Sequence, residues 1–166
     1  MKKVYCFSHQ DFDQCCQDNG WDDEALPEDK CFISICGTPE CQKYYLEETE
    51  YHWFKKDSEQ VINLDFDDIS VESFSWKGHT YHGITEEQAE QLVDFILKNK
   101  GSDFYIHCRA GVSRSQGVTR FILDIFPEEY EVGNLKNPCL TPNYYVLCTL
   151  KKIFYEKFDS QNQGEL

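Results

Sequence analysis

A chain of 166 residues with a formal net charge of −14 is long enough for one domain with a real core. Such acidity argues against nucleic acid and anionic membrane surfaces as partners. Aromatic residues at 15% and hydrophobic residues at 40% exclude a disordered chain, although 28% of positions are charged.

A first strand is expected from Val4 to Phe7. The opening Met1-Lys2-Lys3 resembles the basic start of a secretory leader, but Ser8-His9-Gln10-Asp11 ends the apolar part too early. No apolar run approaches a membrane-spanning length, so a cytoplasmic location with no membrane partner is expected. The segment from about residue 8 to 30 carries eight carboxylates and one lysine between Asp11 and Lys30, and reads as solvated surface. Asp11 and Asp13 open like a calcium loop, but Cys15 stands at the next ligand position. The run Phe32-Ile33-Ser34-Ile35-Cys36 reads as a strand closed by Gly37-Thr38-Pro39. Lys43 to Phe54 is expected as a short helix or irregular cover. In Val61–Phe66 the alternation of Ile62, Leu64 and Phe66 predicts a strand with one buried face.

The stretch from Ser70 to Gly83 is a long loop rich in rings: Phe74, Trp76, His79, Tyr81 and His82. It reads equally as a substrate-recognition flap or as a packed cover over the sheet. Thr85-Glu86-Glu87-Gln88 is a capping box. The helix it opens carries Ala89, Leu92, Val93 and Ile96 on one face and ends at Gly101. Phe104-Tyr105-Ile106 is the next strand, and Val118, Phe121, Ile122 and Ile125 recur at helical spacing after it. Thr141 as N-cap and Pro142 at the first helical position open a last helix, made amphipathic by Val146, Leu147, Leu150, Ile153, Phe154 and Phe158. Strands alternating with helices predict an α/β fold with a mostly parallel central sheet flanked by helices, in a single domain over residues 1–166.

Nine cysteines are an odd count, and no C-x-x-C pair seeds a zinc site. Neither metal nor cofactor is expected. Two histidines at 79 and 82 without further ligands do not alter that.

Between the strand at 104–106 and the helix after Arg114 lies His107-Cys108-Arg109-Ala110-Gly111-Val112-Ser113-Arg114-Ser115. A strand, a tight loop and a helix N-terminus are the parts of an anion cradle, because successive backbone N–H groups and the helix dipole favour negative charge there. Gly111 lets the backbone curl, and Arg114 offers a planar fork for two phosphate oxygens. The same field acidifies a thiol, so Cys108 is expected to be a thiolate aimed at the phosphorus. Ser115 can donate to that sulfur, and His107 is better suited to orienting the loop than to acting as a base.

This stretch resembles the active-site signature of the cysteine-dependent protein tyrosine phosphatases, and within them the dual-specificity branch with its C-x-A-G-x-S-R-S wording. Pro142-Asn143 and Ile33-Ser34-Ile35 are similar to further family features, so the resemblance covers roughly Phe32 to Phe158 and leaves the acidic segment unmatched. It implies that fold, Cys108 as nucleophile, Arg114 as phosphate clamp, and the backbone of Arg109, Ala110, Gly111, Val112, Ser113 and Arg114 as the cradle. It also implies an acid on a loop upstream. In Leu64-Asp65-Phe66-Asp67-Asp68-Ile69 the residue that fits best is Asp68, with Asp67 as competitor and Asp65 within the strand. Cys36 is a candidate for a protective disulfide with Cys108 under oxidation.

The expected activity is hydrolysis of phosphotyrosine in a protein or peptide, with phosphoserine and phosphothreonine as further candidates. The alternatives are a related phosphatase acting on a phosphoinositide or an RNA 5′-phosphate, or a phosphate-binding module without turnover. Only Arg109 is basic among the variable loop positions, which lowers the polyanionic substrates. A non-catalytic module has no need of Cys108, Arg114 and an acid together.

Overall fold

The computed structural model describes residues 1–43, 50–133 and 141–164. In chain order its elements are β1 (Lys2–Phe7), α1 (His9–Asn19), β2 (Lys30–Cys36), α2 (Pro39–Gln42), β3 (Val61–Asp65) and the pair β4 (Ser73–Trp76) and β5 (His79–His82). They continue with α3 (Glu86–Lys98), β6 (Asp103–His107), α4 (Arg114–Ile125), β7 (Tyr130–Val132) and α5 (Tyr144–Gly164). Five strands form one sheet in the order β3-β2-β6-β1-β7, with every neighbouring pair parallel. The expected α/β architecture, a parallel central sheet flanked by helices, is therefore present.

Both faces of the sheet are covered, which is why its strands read as near-continuous apolar runs. On one face Cys31, Ile33, Ile35, Phe104 and Ile106 meet Leu92, Val93 and Ile96 of α3, Phe121 and Ile122 of α4, and Leu150 and Phe154 of α5. On the other, Phe32 and Tyr105 meet Phe12 and Cys16 of α1 together with Phe54. Adjacent strand residues point to opposite faces, so Phe32 and Ile33 supply different cores. No helix among the described residues is long and apolar enough to cross a membrane.

Thr85 and Gln88 close the expected capping box reciprocally, at 3.0 Å each way. Several expectations need correction. The acidic segment is not all solvated surface, because α1 runs through it, capped by the Ser8 side chain. Phe12 and Cys16 lie one helical turn apart and are fully buried, while Asp11 and Asp18 are exposed and Asp13 lies half-buried beside His9 Nε2 at 3.3 Å. The last helix begins at Tyr144 rather than near Thr141. Its N-terminus is capped by Asn143, whose Oδ1 accepts from the Val146 amide at 3.1 Å. Of the span Lys43 to Phe54, residues 44–49 lie outside the described residues; the helix there, α2, precedes it.

The 70–83 stretch is a β-hairpin, not a loop. Lys77 (φ 50°) and Gly78 (φ 80°) both take left-handed backbone, the conformation a two-residue hairpin turn demands. Phe74, Trp76 and Tyr81 belong to neither core, and Phe74 and Trp76 are exposed. A packed cover over the sheet is therefore excluded.

Candidate active site

Because the strands are parallel, their carboxyl ends share one edge, and the chain reverses its lateral direction around central β6. Such edges are where open α/β sheets hold ligands. The loop of residues 108–113 leaves β6 there and feeds α4 at Arg114. Gly111 has φ 73°, and a Cβ on it would stand 2.6 Å from the Phe7 carbonyl carbon and the Ser8 nitrogen, so only glycine fits. The loop is pinned from outside through its carbonyls. Arg109 O accepts from the His9 amide at 3.0 Å, Gly111 O from Gln116 Nε2 at 3.0 Å, and Ser113 O from the Asn143 amide at 3.0 Å. Among the described residues, the amides of Ala110, Gly111, Val112 and Ser113 donate to no backbone carbonyl outside the regular elements. Carbonyls tied outward and amides left over make a nest that can take an oxyanion.

Cys108 is buried, 2% exposed, and its Sγ lies 3.1 Å from Ser115 Oγ. A second sulfur meets the same hydroxyl: Cys6 Sγ, from β1, donates to Ser115 Oγ at 3.2 Å and also lies 3.7 Å from Gly111 O. With its oxygen accepting from Cys6, the Ser115 hydroxyl has its own proton to offer to Cys108. Cys36, the sequence candidate for pairing with Cys108, instead turns its Sγ toward His52 Nδ1, 3.5 Å away. Ile33 and Ile35 of the same strand lie in the core that holds Cys108, and alternation turns Cys36 to the opposite face. The eight cysteines among the described residues are thiols, not disulfides.

Arg114 is 6% exposed, donates from Nη1 to Phe66 O at 2.8 Å, and has a buried Nε with no hydrogen-bond partner among the described residues. It lines a cleft of about 510 Å³ with Arg109, Asp67 and Asp68, and with Phe74, Trp76 and Tyr81 of the hairpin on one wall. Cys108 itself is not in the lining; the cleft meets the loop at Arg109 and Arg114. Arg109 is half exposed, with Nε 3.9 Å from Glu50 Oε1.

The two candidate acids differ sharply. Asp67 is buried, accepting from the Thr38 amide and hydroxyl at 2.9 Å each and from the His82 amide at 2.8 Å. It knots the end of β3 to the α2 cap and to β5. Asp68 is exposed, and its Oδ1 accepts from Ser113 Oγ at 2.7 Å and from Asn143 Nδ2 at 2.8 Å. Oδ2 of Asp68 takes part in neither bond. The signature loop thus touches Asp68 directly and Asp67 not at all in these contacts. Asp65 is exposed and pairs with His52.

His107 is fully buried, and burial pushes its pKa down to about 3. A neutral ring carries one proton, and Cys108 O, 3.3 Å from Nδ1, can only accept it. Nε2 then accepts from Ser34 Oγ at 2.6 Å, and Ser34 accepts from His52 Nδ1 at 2.6 Å. The chain ends at the surface, where His52 Nε2 lies 2.7 Å from Asp65 Oδ1. The backbone behind the Cys108 sulfur is thereby linked to the surface through four side chains. Cys36, His52 and Asp65 could also group around a metal ion, with donor atoms within 4.8 Å of one another. Both His52 nitrogens are already engaged, however, and burial with the Glu50 and Asp65 carboxylates pushes the Cys36 thiol up to about 12. An ion would have to displace two hydrogen bonds and a proton.

Cys6, Ser34, His52 and Asn143 escaped the sequence reading as site residues. Cys6 and Asn143 reach the loop through space from other elements, while Ser34 and His52 connect to it only through His107, and no spacing announces any of them; the Pro-Asn at 142–143 signals only a helix start. Compared with models of protein families, with curated proteins and with solved structures, the chain has no significant match.

Proposed function

We propose that the protein is a cysteine-dependent phosphatase with a protein tyrosine phosphatase-like fold, hydrolysing phosphotyrosine in proteins or peptides in the cytoplasm. The observation that carries this reading is the Arg114 guanidinium: a buried cation with an unpartnered Nε, facing a cleft beside a loop of outward-tied carbonyls. Burying such a group is costly unless an anion completes its hydrogen bonds. A phosphate dianion does so with bidentate geometry, and the nest amides hold its remaining oxygens.

In the first step the Cys108 thiolate attacks phosphorus. A P–S bond forms, the P–O bond to the tyrosyl oxygen breaks, and Asp68 protonates the departing phenolate. In the second, water attacks phosphorus while the Asp68 carboxylate takes its proton. The P–S bond breaks with its electron pair returning to sulfur, where the Ser115 hydroxyl stabilises the thiolate at 3.1 Å. Asp67, with three hydrogen bonds already accepted, holds the loop that carries Asp68.

The test is turnover of an aryl phosphate and of a phosphotyrosine peptide by the purified chain, with Cys108→Ser as blank. Turnover is expected for the wild type, and retained binding of inorganic phosphate without turnover for the variant. Equal rates from both proteins would sink the reading.

A further inference from the structure

The cleft has an aromatic wall that phosphate chemistry does not require. In the hairpin, Phe74 stands opposite Tyr81 and Trp76 opposite His79, while Ser75 stands opposite Thr80. Strand alternation therefore puts Phe74, Trp76, His79 and Tyr81 on one face, and Ser73, Ser75, Thr80 and His82 on the other. The ring face looks into the cleft, where Phe74, Trp76 and Tyr81 all contribute to the lining. The other face is closed by a Ser75–Thr80 hydroxyl contact of 3.1 Å.

These rings are not core residues. Phe74 is 47% exposed and Trp76 58%, and neither joins a hydrophobic cluster. Their planes lie within 13° of parallel with centroids 6.5 Å apart, and Tyr81 sits 6.4 Å from Phe74. A row of exposed rings beside a binding cleft marks a recognition surface. The hairpin is also held at the site: Asp67, at the base of the cleft, accepts from the His82 amide, and the Asp67 amide donates to His82 O at 2.6 Å.

We propose that this wall is a subsite for a large apolar or aromatic side chain lying within two residues of the phosphotyrosine in a peptide substrate. The inference rests on the phosphotyrosine reading above and specifies its substrate class. The occupant is a peptide rather than a nucleic acid, although both carry groups that stack on rings. Three carboxylates, Glu50, Asp67 and Asp68, line the same cleft against two guanidinium groups, of which Arg109 is drawn to Glu50 and Arg114 is taken by the phosphate, and the chain carries a net charge of −14. A polyanionic strand is repelled by that field, whereas a peptide with basic flanks is attracted.

The experiment is a kcat/KM panel of phosphotyrosine peptides. Trp or Phe replaces Ala at each position within two residues of the phosphotyrosine, with lysine or glutamate flanks, beside a 5′-phosphorylated oligonucleotide and a small aryl phosphate. The readout is the ratio of the best Trp peptide to its Ala parent, which cancels differences in the amount of folded enzyme. A ratio of roughly tenfold is expected for the wild type, seen mainly in KM. It should fall toward one in Trp76→Ala and Phe74→Ala, persist in Ser75→Ala on the opposite face, and be larger with lysine than with glutamate flanks. A wild-type ratio near one, or a ratio unchanged by the ring deletions, overturns the subsite. Preference for the oligonucleotide over every peptide overturns it too. No turnover of any member, the aryl phosphate included, refutes the underlying phosphatase reading instead.

Discussion

Ser115 has one hydroxyl proton and two sulfur neighbours, Cys6 at 3.2 Å and Cys108 at 3.1 Å. The Cys6 thiol, as donor, fixes the direction in which that proton points. Its influence belongs to the second chemical step, when sulfur regains its electron pair. Cys6→Ala leaves the Ser115 hydroxyl free to rotate, so phosphoenzyme hydrolysis should slow by roughly three- to tenfold, the worth of one modest hydrogen bond. Rapid-mixing kinetics should then show a burst of phenol release ahead of a slower steady state. No burst and an unchanged steady-state rate would remove Cys6 from the mechanism. Asp68 acts in both steps. Asp68→Asn should depress turnover of a phosphotyrosine peptide by about 10²–10⁴-fold and flatten the limb of the pH profile that needs the acid. The defect should shrink with an aryl phosphate whose leaving group departs unprotonated. A loss of equal size on both substrates argues that Asp68 is not the proton donor.

At the scale of elements, the substitution one residue away should behave differently. Asp67 accepts three hydrogen bonds from Thr38 and His82, all from donors. Asp67→Asn places an amide donor against at least one of them, which loosens the hairpin from the sheet end. Faster hydrogen exchange at the His82 amide is expected, together with a rise in KM for peptides that does not depend on the leaving group. A leaving-group-dependent defect in Asp67→Asn, absent from Asp68→Asn, would reverse the two assignments. The contrast also shows what the sequence could carry. Cys108, Gly111, Arg114 and Ser115 sit in one contiguous stretch, where fixed types at fixed spacing spell out strand, nest and helix start. Phe12 and Cys16 are one turn apart on a helix, but carboxylates around them hide the apolar stripe. The hairpin turn uses Lys77-Gly78 rather than an Asn-Gly or Asp-Gly pair, so the rings at 74, 76 and 81 looked like loop. With three residues, β7 is too short for alternation to register. Cys6, Ser34 and His52 were illegible for another reason, since their partners lie on other elements and only the fold brings them together.

For the whole molecule, the buried chain behind the signature loop couples stability to pH. His107 stays neutral in the folded protein down to about 3, because burial opposes its charge, whereas the unfolded chain takes the proton near 6.5. Between those values the unfolded state binds more protons than the folded one, so stability rises with pH and is lost as pH falls through that window. The slope from one such group is up to about 1.4 kcal/mol per pH unit, and above 6.5 it contributes nothing. The groups facing His107 do not reverse this. His9, 5.8 Å away between ring centroids, His52 beyond Ser34, and Arg114 all oppose a positive charge there, and Phe12 packs on its ring at 4.3 Å. The chain's net charge of −14 pulls the other way, because protonating surface carboxylates relieves repulsion as the solution is acidified. A comparison with His107→Gln separates the two, since both proteins carry the same carboxylates. The variant should be the less stable near pH 7.5, having lost the bond to Ser34. The gap in thermal midpoint should then narrow steadily from pH 6.5 to pH 4.5, as only the wild type has a buried imidazole to resist protonation. Parallel curves over that range would mean that His107 is protonated in the folded state. The one-proton reading of the chain from Cys108 to Asp65 would fall with it.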